Sequence, residues 1–138
     1  MRIMAIDYGD AHTGIAISDP TGFLAGFTTV INAYRPEVVA EQVAALAKEH
    51  GVEELVLGHP INMDGTRGPR SEKAQAMKAL LEETTSLPVV LWDERRTTID
   101  AHQILFNSGK NAKKRKKVVD AVAASLVLEG YLTYKKNH

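Results

Sequence analysis

Two carboxylates follow apolar segments at points where a buried strand would end. Asp7 comes directly after the apolar run Ile3 to Ile6, and Glu94 closes the segment PVVLWDE at residues 88–94. Short apolar runs of this kind predict buried strands. Parallel strands of an α/β sheet bring their carboxyl ends to one edge, so we expect Asp7 and Glu94 to lie together.

A third carboxylate, Asp120, is predicted to face inward from a helix. At 100° per residue, the polar side of the last helix carries Ser125, Glu129 and Thr133. Asp120 falls opposite that side, on a stripe shared with Ala123, Ala124, Val127 and Tyr131. The small alanines would let this helix lie close to the sheet.

Three carboxylates in one pocket need a cation, because like charges a few Å apart otherwise raise one another's pKa. Hard divalent ions such as Mg²⁺ or Mn²⁺ prefer oxygen ligands. Two such ions about 4 Å apart stabilise the attacking and leaving oxygens of a phosphoryl displacement. The acidic set therefore predicts metal-dependent phosphoryl chemistry.

Each carboxylate also has a structural interpretation that the sequence leaves open. An Asp after a strand is commonly a turn residue, and Glu94 could form an ion pair with Arg95 or Arg96. Asp120 could be a first-turn acid that the helix dipole stabilises by about 0.3–1 kcal/mol. The coincidence of all three at one sheet edge favours the metal site.

A basic segment directly precedes Asp120. Residues 110–117, KNAKKRKK, hold six positive charges in eight positions, and we expect them to form a loop. Such a run is either a solvated loop or a surface that neutralises phosphates without sequence specificity. The candidate phosphate-binding residues are Lys113, Lys114, Arg115, Lys116 and Lys117.

A second long loop, GHPINMDGTRGPR at residues 58–70, combines glycines with polar groups. It is either a plain connector or a loop that meets a phosphate or a metal-bound water. The helix after it has an N-terminus suited to anion binding. The candidate residues are Asn62, Asp64, Thr66, Arg67 and Arg70.

The pattern of elements predicts an α/β fold with one five-stranded mixed sheet and helices on both faces. The order is βββαβαβαα, a β-meander followed by βα units. The predicted strands are 3–7, 13–18, 23–31, 54–57 and 88–92, and the predicted helices are 36–50, 71–83, 98–106 and 118–134.

Composition indicates an ordinary globular protein, with 44% hydrophobic and 25% charged residues in 138. We expect a single domain over residues 1–138, located in the cytoplasm, because cysteines, a signal-peptide core and a membrane-spanning run are all missing from the sequence. The net charge of zero is the sum of two segments of opposite charge. Residues 1–109 carry 9 Lys and Arg against 15 Asp and Glu, and residues 110–138 carry 8 against 2.

Four motifs, in order, resemble the YqgF family, a bacterial group with an RNase H-like fold. They are AIDYG…TGIAISD at 5–19, GHPINMDGTRGPR at 58–70, WDERRTT at 92–98 and KKRKKVVDAVAASLVLEGYL at 113–132. Members of that family are candidate pre-16S ribosomal RNA nucleases, considered earlier as Holliday junction resolvases. One departure is Ala11-His12, where the family's first motif usually carries Lys-Arg.

The resemblance implies that Asp7, Glu94 and Asp120 form the catalytic, metal-binding set of a polynucleotide nuclease. It also implies roles near the site for the MDGT loop and for Arg95, Thr97 and Thr98. The leading hypothesis is a Mg²⁺- or Mn²⁺-dependent hydrolase that matures the 5′ end of a 16S ribosomal RNA precursor during ribosome biogenesis.

Three alternatives remain at this stage. The substrate could be a four-way DNA junction, which normally requires two active sites related by two-fold symmetry. The protein could instead be an RNA-binding factor without catalysis. An actin-like ATPase is disfavoured because that fold needs two lobes. We expect a monomer or weak homodimer that contacts nucleic acid and no membrane.

Overall fold

The structure, a computed structural model, describes residues 1–9, 11–20, 25–59, 69–93 and 112–137. Within these ranges the side chains of residues 25, 59, 69, 70, 93, 112–121, 136 and 137 are not described. The strands are β1 (Arg2–Asp7), β2 (His12–Ser18), β3 (Ala25–Asn32), β4 (Val52–His59) and β5 (Val89–Asp93). The helices are α1 (Pro36–His50), α2 (Pro69–Thr85) and α3 (Ala112–Asn137).

The five strands form one mixed sheet in the order β3-β2-β1-β4-β5. β1, β2 and β3 pair antiparallel as a meander, whereas β1 with β4 and β4 with β5 pair parallel. The carboxyl ends of β1, β4 and β5 therefore lie at one edge, which we call the carboxyl edge. This arrangement confirms the predicted mixed sheet.

Helices cover both faces of the sheet, as predicted. One face buries Met4, Ile6 and Leu57 against α1 and α2, while the other buries Ile3, Ala5 and Trp92 against α3. Because neighbouring strand residues alternate between faces, each strand contributes to both apolar layers. None of the helices within the described ranges is long and apolar enough to cross a bilayer.

The bounds of α1 follow from two residues with restricted or permissive backbones. Pro36 stands at the first helical position, where its missing N–H would have no partner in any case. Gly51 follows the helix with φ of 68°, and its N–H donates to the Ala47 carbonyl. Glycine adopts this left-handed conformation without steric cost, so the helix ends here as predicted.

The basic segment was wrongly predicted as a loop. α3 begins at Ala112, so the backbone of Lys113 through Lys117 is helical and continuous with the predicted helix at 118–134. Lys, Arg and Ala are strong helix formers, and the first glycine or proline after Ala112 is Gly130. The predicted helix at 98–106 lies outside the described residues.

Candidate active site

Asp7 is the last residue of β1 and stands at the carboxyl edge, as predicted. It is half-buried and pairs across the meander with Gly14 of β2. Ile3 and Ala5, which share its side of the strand, pack in the layer under α3. The Asp7 carboxylate therefore lies on the face that α3 covers.

Both cross-strand neighbours of Asp7 are glycines. Gly14 pairs with it directly on β2. On the other side, Ile6 pairs with Leu57 of β4, so Gly58 is the next residue beside Asp7. Gly14 and Gly58 are both buried, and neither carries a side chain into the space around the carboxylate. Asp7 therefore stands between two residues that have no side chain.

The other candidate carboxylates belong to elements that converge on the same region. β5 ends at Asp93, which pairs with His59 at the end of β4, and Glu94 comes next in the chain. α3 packs across β1 and β2 and contains position 120, one turn before the buried Ala124. Glu94 lies outside the described residues, as does the side chain of Asp120, so the meeting of the three carboxylates stays a prediction.

Most predicted substrate-binding residues lie outside the described part of the chain. This applies to Asn62, Asp64, Thr66, Arg67, Arg95, Thr97 and Thr98. Arg70 stands in the first turn of α2, and the five basic residues from Lys113 to Lys117 stand in the first turns of α3, in each case with the backbone alone described. Their proposed contacts remain predictions.

Gly9 lies close to His12, which belongs to the pair Ala11-His12 that departs from the family pattern. A Cβ added to Gly9 would lie 2.3 Å from the carbonyl oxygen of His12, so only glycine fits there without a shift of the backbone. The His12 ring, at Nδ1, hydrogen-bonds the Asn32 side chain of β3 over 2.6 Å. Sequence reasoning missed this pair, because it joins residues of two strands whose register depends on the sheet.

Comparison with known proteins decides the family. A sequence model described as RuvX, Holliday junction resolvase, matches residues 1–134. The chain belongs to the RuvX family. This confirms the resemblance to YqgF proteins and the enzyme class, a phosphodiester-cleaving nuclease.

Curated RuvX relatives match over nearly their whole length. A protein of Halothermothrix orenii is 44% identical over 135 residues, which cover 98% of this chain and 96% of the relative. One of Bacillus subtilis is 42% identical over 134 residues, covering 96% of this chain and 97% of the relative. Both are named as candidate pre-16S rRNA nucleases.

A solved structure supports the fold. Thermus thermophilus RuvC, determined in complex with a Holliday junction substrate, superposes with a TM-score of 0.63 at 13% identity, covering 99% of this chain and 96% of RuvC. At this identity the likeness is one of architecture. The RuvX chain thus has the RNase H-like fold expected from its sequence.

The Asp7 carboxylate has donor chemistry that suits a hard divalent cation. Carboxylate oxygen is the ligand that Mg²⁺ and Mn²⁺ prefer. Among the described side chains, no three His, Asp or Glu lie close enough together to hold a metal ion. A complete site at this edge therefore requires carboxylates from outside that set, and Glu94 and Asp120 are the candidates.

Proposed function

We propose that this protein is a divalent-metal-dependent endonuclease that processes the 5′ end of pre-16S ribosomal RNA in the cytoplasm. The observation that carries the proposal is the placement of Asp7 between Gly14 and Gly58 on the face covered by α3, the helix that contains Asp120. Curated relatives more than 40% identical, named as candidate pre-16S rRNA nucleases, support the choice of substrate.

In this proposal Asp7, Glu94 and Asp120 would hold Mg²⁺ or Mn²⁺, which would activate a water molecule and stabilise the leaving 3′-oxygen, giving a 5′-phosphate and a 3′-hydroxyl. The protein's own task is to fix the carboxylate of Asp7. A central strand, hydrogen-bonded on both sides by β2 and β4, holds this residue more rigidly than a loop would.

The basic residues at the start of α3 are proposed to bind the phosphates on either side of the cut. Lys113 through Lys117 precede position 120 by at most two helical turns, so the same helix carries phosphate-binding charge and a candidate metal ligand. The predicted loop at 58–70, with Arg95, Thr97 and Thr98, is proposed to help position the substrate. Such contacts orient a polynucleotide without reading its sequence.

Replacement of Asp7 by Asn tests the assignment in vitro. The Asp7→Asn variant keeps the shape of the side chain and removes the charge that would bind the metal. We expect cleavage of a precursor RNA to fall by at least about 100-fold, since a catalytic metal contributes several kcal/mol. Cleavage at the wild-type rate would refute the role of Asp7.

Asp19→Asn is the matched control. Asp19 also follows a strand, but β2 runs antiparallel to β1, so Asp19 lies at the opposite edge, where Ser18 accepts a hydrogen bond from the Ile3 N–H over 2.9 Å. We expect this variant to fold and to cleave as the wild type does.

The substrate is tested in cells by depleting the protein and mapping the 5′ ends of 16S rRNA. Accumulated precursor that wild type removes and Asp7→Asn does not would support processing by this enzyme. Rescue by Asp7→Asn would instead support the RNA-binding factor without catalysis.

A four-way DNA junction is the second candidate substrate, favoured by the resolvase description of the matching family. Symmetric cleavage of a junction requires two active sites in one complex. Sedimentation of the protein with a junction, combined with mapping of the cuts, tests this candidate. A monomer on the junction, or nicks on one strand only, would exclude resolution.

A further inference from the structure

A groove of about 440 Å³ opens on the other side of the β1 end from Asp7. It is lined by Tyr8, Tyr34, Pro36, Lys73, Met77 and Leu80. Tyr8 packs against the apolar layer under α1 and α2, whereas Asp7 faces α3. The groove and the candidate active site therefore share the end of β1 and lie on opposite faces of the sheet.

Two tyrosines at this groove offer aromatic surface to a ligand. Tyr34 is 81% exposed, the largest exposed fraction among the described large hydrophobic residues. Tyr8 is half-buried, and Met77 beneath the groove is almost fully buried. A pocket lined by apolar and aromatic side chains, within the size range of small-molecule sites, suits a flat ring.

A basic side chain stands at the groove. It belongs to Lys73, which is exposed near the start of α2 and is the only charged residue among the described residues that line the groove. The nearby Arg35 and Glu37 offset each other, with 3.8 Å between Nε and Oε2. A nucleotide whose base stacked on Tyr34 could place its phosphate near Lys73.

We infer that this groove binds one unstacked base of a single-stranded RNA segment, one or two nucleotides from the phosphate that is cut at Asp7. The inference rests on the proposed function. In it, the RNA strand crosses the carboxyl edge from one face of the sheet to the other. Tyr34 supplies the stacking surface, Tyr8 the inner wall and Lys73 the phosphate contact. Stacking on a tyrosine is tolerant of base identity, so the groove positions the strand and does not select a sequence.

The test uses a set of short single-stranded RNAs, each with one abasic site at a different position. The affinity of the protein for each RNA is measured in a buffer in which the RNA stays intact. For wild type, one position is expected to lose about 5- to 150-fold in affinity, the range found when alanine removes a stacking aromatic residue. Tyr34→Ala should bind the unmodified RNA with the same loss and show no further loss at that position. Tyr34→Phe, which keeps the ring, should behave as wild type.

Phe27→Ala is the matched control for an exposed aromatic residue. Phe27 is 40% exposed and contacts the His50 ring. It lies away from the groove, because it pairs through Ile17 with Met4 near the start of β1. This variant should bind as wild type does and keep the position-specific loss. A set of abasic RNAs with no position that depends on Tyr34 overturns the inference, and so does an absence of RNA binding by the wild type.

Lys73→Gln tests the phosphate contact against Lys78→Gln on the same helix. Lys78 forms an ion pair with Glu82 over 3.2 Å and does not line the groove. For Lys73→Gln the slope of log affinity against log salt should fall by about 0.7, the value for one phosphate of a single strand. An unchanged slope removes Lys73 from the site.

The inference and the proposed function fail separately. A wild-type protein that shows the Tyr34-dependent position but does not cleave RNA under Mg²⁺ or Mn²⁺ supports the base-binding groove and refutes the nuclease proposal. A protein that cleaves RNA and shows no such position refutes the groove alone.

Discussion

At the scale of single residues, the candidate site depends on what surrounds Asp7 as much as on its charge. The sequence alone predicted that Asp7 ends a strand at the functional edge, because an apolar run followed by a carboxylate is a local signal. It could not predict that Gly14 and Gly58 flank it. That neighbourhood depends on the register between strands that are distant in the chain.

Gly9→Ala should disrupt the site through the backbone. The added Cβ would lie 2.3 Å from the His12 carbonyl oxygen, so the turn after Asp7 must shift. We expect a loss of about 1–3 kcal/mol in the free energy of unfolding, as for other overpacked positions, together with a marked loss of cleavage. Chemical denaturation and a cleavage assay measure the two effects.

Gly51→Ala is the matched control for that change. Gly51 has φ of 68° with no atom within 4 Å of an added Cβ, and it follows α1 at the opposite edge. An alanine there costs about 1–2 kcal/mol for the left-handed backbone. Stability should fall while cleavage by the folded protein is retained. Equal losses of cleavage in both variants would show that stability alone, and not the turn, limits activity.

The Tyr131 hydroxyl of α3 donates a hydrogen bond to the Glu54 carboxylate of β4. Lys135 lies 3.4 Å from the same carboxylate, so some compensation remains when the hydroxyl is removed. Tyr131→Phe should lower the free energy of unfolding by about 1–2 kcal/mol. An unchanged denaturation midpoint would show that this bond contributes nothing.

The pH dependence of that variant gives a second measurement. Burial and the hydrogen bond to Glu54 raise the pKa of Tyr131 above its ordinary value of about 10. The neutral hydroxyl is thus favoured in the folded state, and its stabilising effect is complete below pH 10 and lost as pH rises toward the higher folded pKa. The difference in stability between wild type and Tyr131→Phe should be constant at neutral pH and shrink above about pH 10.

At the scale of elements, boundaries with strong local signals were predicted well. α1 runs from Pro36 to His50 as expected, since proline begins it and Gly51 ends it. The loop predicted for the basic segment is wrong from Ala112 onward, because helix propensity outweighs charge repulsion there. Its sequence has no helix-breaking residue, and a helix that packs its later turns on the sheet can extend N-terminally through such residues.

The start of α3 carries an electrostatic cost that a polyanion would relieve. No acidic residue stands in its first turn, and basic residues there oppose the positive end of the helix dipole. Lys113 and Lys117 are also four residues apart, a spacing at which like charges destabilise a helix by about 0.2–0.5 kcal/mol. Stability in this segment is therefore lower than its helix propensity alone would give.

The double variant Lys113→Gln, Lys117→Gln should consequently bind RNA less tightly without being less stable. We expect the salt slope of RNA binding to fall by about 1.4, for two phosphate contacts with a single strand. The free energy of unfolding should stay the same or rise by a few tenths of a kcal/mol. Lys48→Gln, in the last turn of α1 at the opposite edge, is the control and should leave the slope unchanged. An equal slope in all three proteins would contradict phosphate binding by α3.

At the scale of the whole molecule, the net charge of zero is the sum of a basic C-terminal segment and an acidic remainder of the chain. Residues 110–138 carry 8 Lys and Arg against 2 Asp and Glu, and most of this stretch is α3, on one face of the sheet. The rest of the chain has an acidic excess. A polynucleotide drawn to α3 would reach the carboxyl edge at Asp7, so a protein of zero net charge can still present a surface for nucleic acid.

The central claim is that Asp7, Glu94 and Asp120 share bound metal, and anomalous scattering from crystals soaked in Mn²⁺ tests it most directly. The account predicts strong anomalous peaks in contact with all three carboxylates in wild-type crystals, and their loss in Asp7→Asn crystals soaked in the same way. Carboxylates held apart with no peak between them, or the same peaks in the Asp7→Asn crystals, would contradict it.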